Sequence, residues 1–239
     1  MRGESSPRRE PLPLNVGGDY LDFFKLNDEK FVVLLGDVAG HGVGAAVIMA
    51  MAKAGILGGG ENLSSPAAML NILHKMILAA KSSKQRKIMT FQYMCLDSNS
   101  AQGLYGNAGA CSPAIVRRSK GTVEELTMHG AALGGFKKAV YKEMPLEFEP
   151  GDAIIFYTDG IVEARNAAGE EMGYKAFFNL LNEVYDADPQ KYYENIYAKY
   201  LEHIGGMSAQ DDLTIVIVIC QKSEGESDGQ QLQADSRGS

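Results

Sequence analysis

The chain has 239 residues, 45% of them hydrophobic and 22% charged, with 30 acidic against 23 basic side chains and a net charge of −7. A chain of this length buries roughly 70–75% of the surface its unfolded form exposes, enough for a full core without staples. The acidic balance removes the counterion-release drive that general nucleic-acid binding needs, so no nucleic-acid partner is expected. No apolar run reaches the ~20 residues of a membrane span. The opening MRGESSPRRE lacks the apolar core of a signal peptide. Three well-separated cysteines, Cys95, Cys111 and Cys220, suit a reduced, cytoplasmic protein and show no zinc-ligand spacing.

In chain order, residues 1–13 are rich in Arg, Glu, Ser and Pro and are expected to be disordered or appended sequence. Phe31–Leu35 is a continuous apolar run suited to a strand buried on both faces. Residues 43–57 are apolar almost all round, with only Lys53 charged, and predict a deeply buried helix. Ser65-Pro66 supplies an N-cap and a first-turn proline for a helix carrying Met69, Ile72, Leu73, Met76 and Ile77. Met89–Leu96 and Gly103–Tyr105 flank Asp97-Ser-Asn-Ser100, a hairpin signal, and a second hairpin turns at Ser119-Lys-Gly121. Ala153–Tyr157 is another buried strand. Helical stripes follow on Tyr174, Phe177, Phe178, Leu181 and Val184, then on Tyr193, Ile196, Tyr197, Tyr200, Leu201 and Ile204. Leu213–Ile219 is the strongest β-branched run. Residues 222–239 contain one Leu and no aromatic, and predict a disordered tail. Hairpin-linked strands with helices in two blocks indicate an α+β fold with an antiparallel core covered by helices.

Four aspartates stand beside the buried runs. Asp37 follows Phe31–Gly36, Asp159 follows Ala153–Thr158, and Asp211 and Asp212 immediately precede Leu213–Ile219. Antiparallel neighbours bring the end of one strand beside the start of the next, so these acids are expected to converge on one sheet edge. Bare carboxylates at close range raise each other's pKa, and a hard divalent cation removes that cost. Oxygen ligands without a Cys or His cluster select Mg²⁺ or Mn²⁺. A turn or cap role is the competing reading for each acid alone. Gly40-x-Gly42-x-Gly44, between a strand and a helix, admits a second reading as a phosphate cradle with Glu61 as a ribose partner. Its spacing departs from Gly-x-Gly-x-x-Gly, and Asp37 would face the pyrophosphate. No nucleophile elbow or thiol-phosphatase loop is present, so covalent catalysis is not expected.

At these residues the chain resembles the metal-dependent protein serine/threonine phosphatases (PPM, or type 2C), specifically the bacterial SpoIIE/RsbU-like subgroup. The resemblance rests on Gly17-Gly-Asp-Tyr-Leu-Asp22, Gly36-Asp-Val-Ala-Gly-His-Gly42, Asn107-Ala-Gly109, Gly151-Asp152, Tyr157-Thr-Asp-Gly-Ile-Val-Glu-Ala164, Gly173 and Asp211-Asp-Leu-Thr214, in family order over residues 14–220. It implies a phosphatase domain over 14–221, built as a central β-sandwich of two antiparallel sheets flanked by helices, with two Mn²⁺ or Mg²⁺ ions at one end. By motif, Asp37 would bridge both ions and the Val38 carbonyl would bind one. Asp159 and Asp211 would bind the other, and Asp19 would contact an ion or the water it carries. Asp212, His41, Gly18 and Gly160 would shape the surroundings. The subgroup implies hydrolysis of phosphoserine or phosphothreonine on a STAS-type anti-anti-sigma regulator, under an upstream sensor or switch element. A non-catalytic partner-binding module of the same fold is the alternative, which loss of the acids would favour; all of them are present.

Overall fold

The computed structural model describes residues 17–80, 87–207, 212–222 and 230–238. Two five-stranded antiparallel sheets form a sandwich. The first has the order β1 (Asp19–Lys25), β2 (Lys30–Val38), β3 (Met89–Asp97), β4 (Gln102–Ala108), β7 (Met144–Glu147). The second runs β10 (Gln230–Gly238), β9 (Thr214–Lys222), β8 (Ala153–Tyr157), β5 (Ala114–Arg117), β6 (Thr122–Glu125).

Strand alternation sorts the core into three layers. Val33, Leu35, Met94 and Leu96 of sheet one meet Ile154, Phe156, Val216 and Val218 of sheet two between the sheets. The opposite phase of sheet one, including Val32, Leu34, Phe91 and Tyr93, packs under α1 (Val43–Leu57) and α2 (Pro66–Ala79). The outer phase of sheet two, including Ile155, Tyr157, Ile215 and Ile217, packs under α3 (Gly173–Glu183) and α4 (Pro189–Ile204). The central strands are buried on both faces because each sheet is covered twice, which is why they read as continuous apolar runs.

Local signals hold where they rest on specific chemistry. The Ser65 hydroxyl accepts from Ala68 N at 3.2 Å with Pro66 in the first turn of α2. Both expected hairpins form, β3–β4 and β5–β6. Two expectations are corrected. Helix α1 is not deeply buried: Ala45, Ile48, Ala52 and Ile56 face the core, while Val43, Val47 and Leu57 are 65%, 53% and 74% exposed. An all-apolar sequence identifies a helix but not how many of its faces find a neighbour. The expected tail over 222–239 contains an edge strand, β10, whose nine residues pair in register with β9. Strand pairing uses backbone groups, so an edge position tolerates a polar sequence that propensity reads as unstructured. The expectation for residues 1–13 lies outside the described residues.

Candidate metal centre

Asp19 and Asp37 are direct cross-strand partners at one end of the β1–β2 ladder. Asp159 follows β8 and Asp212 precedes β9, which are antiparallel neighbours in the other sheet. The acids therefore gather at one end of the sandwich and come from both sheets, rather than from one edge as expected, because the two sheets pack face to face and carry acids at the same end. Asp211 lies outside the described residues. Among the described residues, no three carboxylate, His or Cys side chains close on one point.

Hydrogen bonds tie the two halves together. Gly18 N donates to Asp212 Oδ2 at 2.8 Å, and Val38 N donates to the Gly18 carbonyl at 3.0 Å. The Asp19 carboxylate accepts from the Thr214 hydroxyl at 2.5 Å and the Thr158 hydroxyl at 3.1 Å. Thr158 Oγ1 in turn accepts from Thr214 N at 3.1 Å. Glycine is required at position 18 by close approach: a Cβ there would stand 2.6 Å from Asp37 Oδ1 and 2.8 Å from the Val38 carbonyl oxygen. Both oxygens thus lie against the same side of Gly18. Gly40 and Gly42, both with φ near +80°, carry the chain from β2 into α1.

Burial pushes the Asp19 carboxyl above its ordinary value, and the neighbouring charges of Asp212 and Asp159 add to the rise against the two threonine hydroxyls. A carboxylate desolvated among others is a site that a cation relieves. The donors are carboxylates and one carbonyl, with no imidazole or thiolate within the set. Such donors fit a hard divalent cation.

A cleft of about 50 Å³ opens beside these groups, lined by Asp37, Thr90, Gln92, Cys111, Thr158 and Asp159 among others. Asn107 shapes its wall: Oδ1 accepts from Ala110 N at 2.9 Å and Nδ2 donates to the Ala110 carbonyl at 3.1 Å, closing a turn in which Gly109 takes φ +76°. Burial raises the pKa of the Cys111 thiol, whose sulfur lies 3.7 Å from the Tyr174 hydroxyl. Gly160 is half-buried beside Asp159, whereas His41 is exposed in the turn before α1 and is not part of the cleft lining.

The motifs contain Thr158 and Thr214, but nothing in their spacing reveals that both hydroxyls converge on Asp19. Gln92 was also missed. Its signal is a polar residue in the inward phase of an otherwise apolar strand.

A family model described as Stage II sporulation protein E (SpoIIE) matches residues 27–221. Protein IcfG of Synechocystis is 25% identical over 229 residues, covering 85% of this chain and 36% of its own length. Phosphoserine phosphatase RsbU of Bacillus subtilis is 25% identical over 226 residues, covering 91% of this chain and 66% of its own. The chain thus spans between about a third and two thirds of the length of these relatives. Among solved structures, the SiaA-PP2C domain of Pseudomonas aeruginosa is similar with a TM-score of 0.74 at 23% identity, over 84% of this chain and 79% of that one. At that identity the likeness establishes the fold.

Proposed function

The chain belongs to the SpoIIE family of PPM-type serine/threonine phosphatases, and on that premise we propose that it hydrolyses phosphoserine or phosphothreonine with two Mn²⁺ or Mg²⁺ ions. The observation that supports this most is that Asp37 and Asp159 line one cleft while Asp19, under the charges of Asp212 and Asp159, is held there by Thr158 and Thr214. When bound, the ions supply Lewis acidity: they activate water and neutralise charge on the phosphoryl group during in-line attack.

The chain's own residues supply the frame. Asp37 and the Val38 carbonyl would hold one ion, with Asp37 shared. Asp159 and Asp211 would hold the second, and Asp19, oriented by Thr158 and Thr214, would contact an ion or the water it carries. Asp212 fixes the Gly18 backbone, and Gly18 in turn leaves Asp37 and Val38 unobstructed. The leaving serine or threonine oxygen takes its proton from solvent. Cys111 is no nucleophile in this scheme, because burial keeps it as the thiol and the thiolate is the reactive form. A domain over 14–221, a cytoplasmic location and a STAS-type anti-anti-sigma phosphoprotein as substrate complete the reading. The name of the Bacillus relative, a phosphoserine phosphatase, supports the phosphoserine part of it.

The test is phosphate release from p-nitrophenyl phosphate with Mn²⁺, with EDTA, and with Asp159→Asn. Activity that needs Mn²⁺ and falls at least a hundredfold in the variant is expected. Failure of the wild-type chain both to turn over and to bind Mn²⁺ would favour a non-catalytic module of the same fold.

A further inference from the structure

The layer between the sheets ends in an amide. Along β3 the side chains facing the opposite sheet are Leu96 and Met94, and the next in phase toward the aspartates is Gln92. Gln92 is 1% exposed. Burying an amide costs free energy unless both its donor and its acceptor are used.

The donor is used. Gln92 Nε2 reaches across the sandwich to the Tyr157 carbonyl at 3.3 Å, two residues before Asp159. That bond also fixes which way the amide faces, since the reversed amide would set two acceptor oxygens against each other. Oε1 has no hydrogen-bond partner among the described residues. Gln92 shares the cleft wall with Asp37 and Asp159, which sets its amide beside the candidate ligands. The described groups around it offer Oε1 no donor. A hydrated divalent cation would bring one, because its waters are polarised donors of the size such a cleft admits.

We propose that Gln92 is a positioning residue of the ion site: the Tyr157 carbonyl orients its amide so that Oε1 receives a hydration water of the bound cation. This rests on the phosphatase reading of the site. Its neighbours on this face are Leu35 and Met94 on the apolar side and Asn107 and Thr90 on the polar side, so Gln92 stands where the apolar layer gives way to the cleft. Partners of this kind, one step behind the ligands, typically change metal affinity about 10–100-fold when removed.

The test uses the full chain and two readouts besides turnover: the Mn²⁺ dissociation constant by titration calorimetry and the melting temperature in EDTA. Gln92→Met keeps the volume and removes both donor and acceptor. It is expected to weaken Mn²⁺ binding about tenfold while melting in EDTA no lower than wild type, because removal of an unpaired buried acceptor offsets the donor lost to the Tyr157 carbonyl. Gln92→Glu keeps an acceptor beside the cation and is expected to bind Mn²⁺ at least as tightly as wild type. Affinity of Gln92→Met within twofold of wild type would overturn the proposal. So would weakened binding shared equally by the Glu variant, or accompanied by a fall in melting temperature, since either marks a damaged core. Absence of Mn²⁺ binding by the wild-type chain overturns the site reading and the proposal together, and the wild-type titration alone tells that result from the others.

Discussion

Asp152 shows how a motif residue can be structural. Its side chain is fully buried and accepts from Arg117 Nη1 at 2.8 Å, Arg118 N at 3.1 Å and Glu149 N at 3.1 Å. Its carbonyl accepts from Cys220 N at 2.9 Å, so one residue joins β5, the turn before β8, and β9. Removing this carboxylate would leave the Arg118 and Glu149 backbone donors unpaired and Arg117 with Glu124 as its remaining ion-pair partner. Asp152→Ala is therefore expected to lower stability by about 3 kcal/mol in urea denaturation, although Asp152 lies far from the cleft. The sequence placed Gly151-Asp152 in the resemblance without a role, and nothing in its spacing names Arg117 as the partner. The aspartates of the candidate centre were legible because each interrupts the end of an apolar run. The threonines that orient Asp19 were not, because a threonine beside a strand is ordinary and its partner lies more than 130 residues away.

At the level of elements, the β3–β4 hairpin was legible down to its turn. Asp97 Oδ1 accepts from Asn99 N at 3.1 Å and Ser100 N at 3.0 Å, the local capping that Asp offers a turn. These bonds favour the ionised carboxylate, led by the Ser100 backbone, and hold its pKa below the ordinary 3.8. A lowered folded pKa contributes stability above the unfolded value, and that contribution is lost as pH falls through the folded value. Asp97→Ala is expected to cost about 0.5–1 kcal/mol across pH 5–8, with the difference from wild type shrinking below pH 3.8. Paired melts at pH 7 and pH 3 check this. Helix α1 was legible as a helix and illegible in its burial: Lys53 alone breaks its apolar surface, yet Lys53 meets Asp22 at 2.6 Å on the exposed side, beside the open face that carries Val47 and Leu57. Burial depends on which neighbour arrives, and a single helix does not encode that. Strand β10 fails the same way in reverse, since the unpaired edge of β9 rather than its own side chains provides its place.

For the whole molecule, the candidate ions would sit where the two sheets meet and would tie one to the other. A ligand that binds only the folded state stabilises it by about 2.7 kcal/mol at a hundredfold excess over its dissociation constant. For a chain of this size that corresponds to a rise in melting temperature of about 5–10 °C on adding Mn²⁺. EDTA is expected to reverse the rise, and Asp159→Asn to abolish it; differential scanning calorimetry reads all three. An antiparallel core covered by helices was legible through hairpins, continuous apolar strands and two helical blocks, whereas its division into two sheets was implied by the family resemblance. That its acids gather from two sheets rather than along one edge was not legible, because facing strands share no hydrogen bonds and leave no register in the sequence.

The hydrogen bonds from Gly18 to Asp212 and from Thr214 to Asp19 span 194 and 195 positions of the chain. Contacts this remote are the slowest to close, because most of the chain must be ordered before they form. During synthesis, which runs at about 5–20 residues per second, β1 through β8 can emerge from the ribosome while the acidic cluster still lacks its last wall. A nascent chain halted before β9 would hold Asp19 by Thr158 alone, without Thr214 or Asp212. The cleft is thus complete only once β9 has been made and has docked beside β8.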